Sequence, residues 1–160
     1  MQEEIFHNMS FRKNIFKHGL VIVTFLILTM IVTFPVILDF GTQAVGQGCF
    51  DKCHMMWRMW WADHSFNNNL DFYKSQYIFH PDGTTISGNL AQFTTGIGAI
   101  LQNLFGTTLA WNIIWISGFI FGGYSAFLLA EYLTKNPFAS IIAGIIFTFS
   151  TYHLVHSHFH

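Results

Sequence analysis

The sequence predicts an all-α membrane protein with about three transmembrane helices and a long external loop that contains interfacial helices. Three observations lead to this fold class. Only 9% of the 160 residues are charged, against roughly 25% in soluble domains, whereas 52% are hydrophobic. Uncharged apolar stretches recur at lengths that suit membrane spans. A more polar stretch of about fifty residues separates the first apolar stretch from the others.

The first apolar stretch, residues 18–38, follows a polar segment, residues 1–17. It holds 21 residues without a formal charge, and at about 1.5 Å per residue it spans the roughly 30 Å apolar core of a bilayer. A signal peptide has a shorter apolar region of about 7 to 15 residues, so we interpret this stretch as a retained span. Arg12, Lys13 and Lys17 precede it, and the positive-inside rule therefore places the N-terminus in the cytoplasm of a plasma-membrane protein.

Two further spans are predicted at residues 109–131 and 138–155, because both stretches are apolar and long enough to cross. The charged and polar residues 132–137 between them form a short cytoplasmic turn. This topology places the external loop, residues 39–108, and the His-rich end, residues 156–160, on the same side of the membrane.

Two interfacial helices are predicted within the external loop. The first, near 51–65, carries Trp57, Trp60 and Trp61, which suit the membrane interface. The second, near 90–105, contains glutamine, asparagine and threonine and is short for a span. In an alternative topology the second stretch crosses fully, which gives four spans and moves the C-terminus to the cytoplasm.

Short-range spacing predicts two kinds of contact in the last two spans. Glu131 and Lys135 lie four residues apart at the cytoplasmic end and can pair. Residues 118–122 and 140–144 each place small residues four apart. Such faces let neighbouring helices approach closely in a membrane.

Asp51, His54 and Arg58 share one face of a helix that begins at Asp51, because residues three and four apart lie above one another. A carboxylate, an imidazole and a guanidinium that point the same way can form a site. The same pattern also suits the wetted side of a surface helix whose tryptophans touch apolar surface.

Residues 77–84 have the chemistry of a turn, since Pro81 fixes φ and Gly83 tolerates positive φ. His80 and Asp82 within this turn are candidate substrate-binding residues. A plain surface turn is the alternative.

Four histidines, His153, His156, His158 and His160, close the chain. On a helix His153, His156 and His160 share a face, whereas an extended tail aligns His156, His158 and His160. Imidazoles at such spacings are ligands for zinc, copper, manganese or nickel. Histidines at a membrane interface without a ligand are the alternative.

Cys49 and Cys53 lie four residues apart in the external loop. A disulfide between them requires that the helix start after the first cysteine, because two cysteines one helical turn apart usually lack the geometry. In another interpretation Cys53 holds copper together with soft ligands nearby, namely His54, Met55, Met56 and Met59. Methionines beside tryptophans also pack without any ligand.

Several function classes are excluded by what the sequence lacks. It contains no Gly-rich phosphate loop, nucleophile elbow or HExxH helix, which disfavours a soluble nucleotide-dependent enzyme. Its seven Lys and Arg residues form no basic run and its formal net charge is -1, so no nucleic-acid partner is expected.

The order of these parts resembles the N-terminal region of the C-class (GT-C superfamily) integral-membrane glycosyltransferases, which include the dolichyl-phosphate-mannose-dependent mannosyltransferases. The motifs that carry the resemblance follow the first span. They are Gly-Cys-Phe-Asp at 48–51 opening a Trp-rich helix, Phe-His-Pro-Asp-Gly at 79–83, and Ile-Ile-Phe-Thr-Phe-Ser-Thr-Tyr-His at 145–153. The resemblance covers nearly the whole chain from about residue 17.

This resemblance implies transfer of a sugar from a polyprenyl-phosphate donor to an acceptor on the external face. It implies that Asp51 is the catalytic residue, as general base or as a ligand of Mg or Mn. His54, Arg58, His80 and Asp82 are then substrate-binding candidates, and membrane lipid is a partner. Many members have a second acidic residue where this chain has Lys52.

Members of this family have more spans than 160 residues provide. We therefore expect a truncated or split enzyme that works with another membrane chain, which leaves open whether this chain is an enzyme by itself. A small copper- or zinc-binding membrane subunit of a larger complex is the alternative function. A structural assembly subunit without activity is the third.

Overall fold

The computed structural model describes residues 2–49, 51–86 and 92–159, and the side chains within 14–49, 51–86 and 93–157. The described chain is 73% helical. Its elements are α1 Gln2–Val32, a 3-10 helix Val36–Asp39, α2 Asp51–Asn67, β1 Lys74–Ser75, β2 Thr84–Thr85, α3 Gln92–Phe105, α4 Thr107–Thr134, α5 Pro137–Thr148 and α6 Thr151–Phe159.

The chain divides into two compact units. The first comprises Met1–Ile37 and Ile116–Val155, and the second comprises Leu38–Trp115 and His156–His160. The boundary between them falls within α4 and again within α6.

Two described helices are long and apolar enough to cross a membrane, residues 14–32 of α1 and the whole of α4. A third span results if α5 and α6, which are bent by 42° at a short break, are taken together. This agrees with the predicted helical fold with about three spans. Helix α3 has only 14 residues, roughly 21 Å, which is shorter than an apolar core and does not favour the four-span alternative.

The first predicted span, 18–38, is helical only as far as Val32. Pro35 explains the early end, because it lacks a backbone N–H and disfavours the helical conformation in the residue before it. The chain resumes as the 3-10 helix Val36–Asp39.

The third predicted span, 138–155, is broken between Thr148 and Thr151. Ser150 begins the next helix, since its Oγ accepts a hydrogen bond from the backbone N–H of His153 at 3.4 Å. Helix α6 then continues to Phe159, so the described part of the His-rich end is helical, the first of the two arrangements considered from the sequence.

The core of the first unit is built around Phe25 of α1, which is fully buried with Val21 and Phe127. Helices α4 and α5 approach this ring through two glycines. A Cβ at Gly144 would lie 2.6 Å from Phe25 Cζ, and a Cβ at Gly123 would also collide with the Phe25 ring. The small-residue face predicted at 140–144 is therefore in close contact.

The other small-residue face, predicted at 118–122, is not a close contact. A Cβ at Gly118 would meet nothing within 4 Å, and one at Gly122 would make only ordinary contact. The next residue, Gly123, makes the close approach instead. The spacing of small residues at 118–122 therefore predicted the correct helix but the wrong face of that helix.

Glu131 accepts a hydrogen bond from Lys17 Nζ at 2.7 Å, which joins α4 to α1. The predicted partner was Lys135. That residue lies just beyond α4 with φ 54°, and its Nζ lies over the Tyr132 ring at 4.6 Å. The Lys135 N–H still donates to the Glu131 carbonyl at 2.9 Å. The side chain of Lys135 nevertheless lies over Tyr132 because the helix ends at Thr134, so Glu131 pairs with Lys17 instead.

In the second unit, α2 and α3 pack side by side through Met59 and Gly98. A Cβ at Gly98 would lie 2.5 Å from Met59 Cγ, so only glycine fits there without a shift. Gln102 Nε2 donates to the Met59 carbonyl at 3.1 Å. Helix α3 also exposes an apolar stripe, which consists of Phe93, Ile97, Ile100 and Leu104. Ile100 lies at the edge of this stripe that borders α2.

Candidate active site

Asp51 is the first residue of α2, and its side chain is exposed. The chain before it turns at Gly46 and Gly48, whose φ angles of 100° and 63° favour glycine. Lys52 Nζ then donates to the Gly46 carbonyl at 2.8 Å. This contact folds the loop back onto the first turn of the helix and holds the backbone on both sides of Asp51.

A disulfide between Cys49 and Cys53 brackets Asp51. Their Cα atoms are 5.0 Å apart. The bond is possible because Cys49 precedes the helix. As predicted from the sequence, a disulfide between cysteines four residues apart requires this arrangement. Cys53 is therefore not a thiolate, and the copper site that would use it does not fit this structure.

His54 and Arg58 lie one turn apart on α2 and contact each other. Arg58 Nε donates to His54 Nε2 at 3.1 Å. By helix spacing Asp51 lies on the same face. Of the predicted group, the structure therefore shows His54 and Arg58 in contact, and Asp51 joins them by helix spacing.

The side chains near Asp51 on α2 determine whether this position can bind Mg or Mn. These ions prefer several oxygen ligands. The helix instead provides Lys52, His54 and Arg58, whose polar atoms are all nitrogens. This set does not fit a hard divalent cation, but it fits a carboxylate that accepts a proton beside groups that attract a phosphate.

His80 and Asp82 are exposed in the turn between β1 and β2. This turn is closed by a hydrogen bond from the Gly83 N–H to the Phe79 carbonyl at 2.9 Å. Both residues lie in the second unit with Asp51.

The strand pair is held by the C-terminal half of α2. The Tyr77 hydroxyl lies 3.1 Å from His64 Nε2, and the imidazole stacks on Trp60 with centroids 4.8 Å apart. Trp61 Nε1 also donates to the Phe72 carbonyl at 2.9 Å. These contacts are roughly 14 to 20 Å along the helix from Asp51. The structure therefore anchors the turn at the far end of α2 from the predicted catalytic residue.

His153 is half-buried near the start of α6. Its Nδ1 lies 2.7 Å from the Thr148 carbonyl, and its ring stacks on Phe119 at 4.7 Å. A carbonyl only accepts, so Nδ1 donates a proton in this hydrogen bond. Metal-binding histidines are commonly oriented in this way.

The other terminal histidines do not complete a metal site among the described residues. His156 is exposed, and the side chains of His158 and His160 lie outside the described residues. Within the described part of the chain, no group of three or more His, Cys, Asp or Glu side chains is placed to hold a metal ion.

Sequence reasoning missed Asn112, which organises the loop before Asp51. Its side chain is fully buried and makes three hydrogen bonds. Oδ1 accepts from the Val45 N–H at 2.8 Å, and Nδ2 donates to the carbonyls of Phe40 at 2.6 Å and Gln43 at 2.7 Å. An amide in an otherwise apolar stretch was the available signal, because such residues are costly in a membrane unless they bind a partner.

Comparison of the chain with protein-family models, curated proteins and solved structures gives no match. The site must therefore be interpreted from its own residues.

Proposed function

We propose that the chain is a membrane glycosyltransferase, or a part of one, that transfers a sugar from a polyprenyl-phosphate donor to an acceptor on the external face. The observation that carries the proposal is the exposed carboxylate of Asp51, held by the Cys49–Cys53 disulfide at the start of a helix that also bears His54 and Arg58. A carboxylate fixed in this way can take a proton from an acceptor hydroxyl.

In the proposed reaction, the acceptor oxygen attacks the anomeric carbon of the donor while Asp51 takes its proton. The bond from that carbon to the phosphate oxygen breaks, and the polyprenyl phosphate leaves with the electron pair. The Arg58 guanidinium stabilises the charge that develops on the leaving phosphate. His54, which accepts from Arg58 Nε, holds the guanidinium in position.

The proposed location of this reaction is the external side of a plasma membrane, with the N-terminus in the cytoplasm. A disulfide in the second unit supports it, since disulfides persist in oxidising compartments. The apolar stripe of α3 supports an interfacial position for this helix. Helix α3 ends at Phe105, and the candidate span α4 begins at Thr107, so α3 is tied close to the membrane boundary.

The alternative, a copper- or zinc-binding subunit, is supported by the orientation of His153, whose Nδ1 donates to the Thr148 carbonyl as in many metal-binding histidines. Metal analysis of the purified protein tests it, and stoichiometric copper or zinc would favour it over the transferase. A structural assembly subunit is favoured if both metal and transfer are absent.

The transferase proposal is tested by the Asp51→Asn substitution. Membranes of the chain's own cells are used so that any partner chain is present, and label transfer from polyprenyl-phosphate sugars is measured. We expect a loss of at least ~100-fold, the usual effect of removing a general base. Asp71→Asn, an exposed aspartate after α2, is the matched control. Transfer at the normal rate by Asp51→Asn contradicts the proposal.

A further inference from the structure

A groove between α2 and α3 lies outside the candidate active site. Its volume is about 390 Å³, within the roughly 300–1,000 Å³ range of small-molecule sites. Polar groups on its wall come from Asp63, Asn67 and Asn103, and apolar surface comes mainly from Phe66 and Ile100. A few polar groups in an apolar cleft are typical of a ligand site.

The three polar side chains are connected through one atom. Asp63 Oδ1 accepts from Asn67 Nδ2 at 2.8 Å and from Asn103 Nδ2 at 2.5 Å. Asn103 Nδ2 also donates to the Ala99 carbonyl at 3.2 Å. Asn103 Nδ2 thereby uses both of its N–H groups within the protein and Asn67 Nδ2 uses one of its two. The groove retains three accepting oxygens, Asp63 Oδ2 and the two amide oxygens, and one N–H donor of Asn67. A ligand that supplies several donors and can also accept therefore fits this groove.

Phe66 and Ile100 provide the complementary apolar surface. Phe66 is 84% exposed and Ile100 is 64% exposed. A sugar ring presents hydroxyl donors at its edge and C–H groups on its face, which suits an aromatic and aliphatic wall. The carboxylate disfavours phosphate and other anions, because like charges repel.

We propose that the α2–α3 groove binds a neutral sugar unit of the acceptor, and this inference rests on the transferase function proposed above. Asp63 lies twelve residues after Asp51, about 18 Å along the helix and roughly 120° around it. The groove is therefore a subsite separate from the reacting centre. An acceptor that reaches both the groove and the reacting centre is an oligosaccharide or glycolipid with several sugar units.

Binding is measured by saturation-transfer NMR with neutral methyl hexosides and disaccharides, using the 160-residue chain in lipid nanodiscs free of glycoside detergents. We expect the sugars to bind and uncharged sugars to be preferred over glucuronic acid. Asn103→Leu should weaken binding about tenfold, because it removes a donor to Asp63 and one of the acceptors. Phe66→Ala should weaken binding about fivefold.

Phe93→Ala on α3 is the matched control for Phe66→Ala, since Phe93 is 80% exposed and does not line the groove. The truncation of Phe66 removes little packing, so a folding defect does not obscure the result. Asp51→Asn should retain normal sugar binding. This separates the two proposals, because normal transfer by Asp51→Asn together with retained sugar binding contradicts only the transferase proposal.

Three results would overturn the groove proposal. The first is the absence of sugar binding by the unaltered chain. The second is equal weakening by Phe66→Ala and Phe93→Ala, which would indicate a general effect of the membrane surface. The third is displacement of the sugar, or binding in its place, by Ca²⁺, which would assign the three oxygens to a cation.

Discussion

Asn112→Ala tests whether one buried amide orders the approach to Asp51. The substitution removes three hydrogen bonds, one to the Val45 N–H and two to the carbonyls of Phe40 and Gln43. Each is worth about 1 kcal/mol net, and unpaired buried groups cost about 1–3 kcal/mol each. We expect the local opening free energy of residues 40–45 to fall by roughly 3 kcal/mol.

Hydrogen–deuterium exchange with mass spectrometry measures this change. A fall of about 3 kcal/mol corresponds to roughly 100-fold faster exchange of the Val45 amide. Peptides from 116–134 serve as the internal reference and should keep their protection. Asn103→Ala is the matched control, because it removes an asparagine from a neighbouring helix without touching the loop. Unchanged exchange at 40–45 in Asn112→Ala would refute the reasoning, and uniform loss of protection would indicate global unfolding instead.

Two other predictions concern packing and the loop before α2. Gly144→Ala should lower the thermal midpoint, because its Cβ would lie 2.8 Å from the Gly123 carbonyl and 2.6 Å from the Phe25 ring, and overpacking costs about 1–3 kcal/mol. Gly118→Ala, which meets nothing within 4 Å, should leave the midpoint unchanged or raise it, and equal destabilisation by both would contradict this packing. Replacement of Cys49 and Cys53 together by serine should increase proteolysis of residues 44–50, since the short cross-link constrains the chain by about 2 kcal/mol. Identical cleavage with and without the bond would show that the glycine turns alone hold this loop.

Local composition predicted where several helices lie in the sequence. It did not predict which helices pack against each other. The apolar stretch from residue 109 predicted α4, and the predicted start of α2 at Asp51 is where the structure places it. The break at 149–150 was missed because apolar residues continue across it on both sides. Ser150 carries the only local signal, a weak capping preference.

Contacts that join distant parts of the chain had no local signal at all. Lys17, the observed partner of Glu131, is separated from it by 114 positions. Lys135, the predicted partner, is only four residues away but lies past the end of the helix. In the candidate site, helix spacing predicted His54 beside Arg58. It could not predict the bonds between Asn112 and the loop, because these depend on how the chain returns after about seventy residues.

The apolar stripe of α3 has a consequence for how substrates would arrive. A helix that settles at the lipid boundary keeps α2, which packs on it through Gly98, at nearly the same height. For the proposed transferase, a sugar donor anchored in the bilayer would reach the protein by a search in two dimensions rather than three. We expect its local concentration to be set by its surface density in the membrane, so that dilution into excess lipid would slow the reaction even when the bulk concentrations of protein and substrate are held constant.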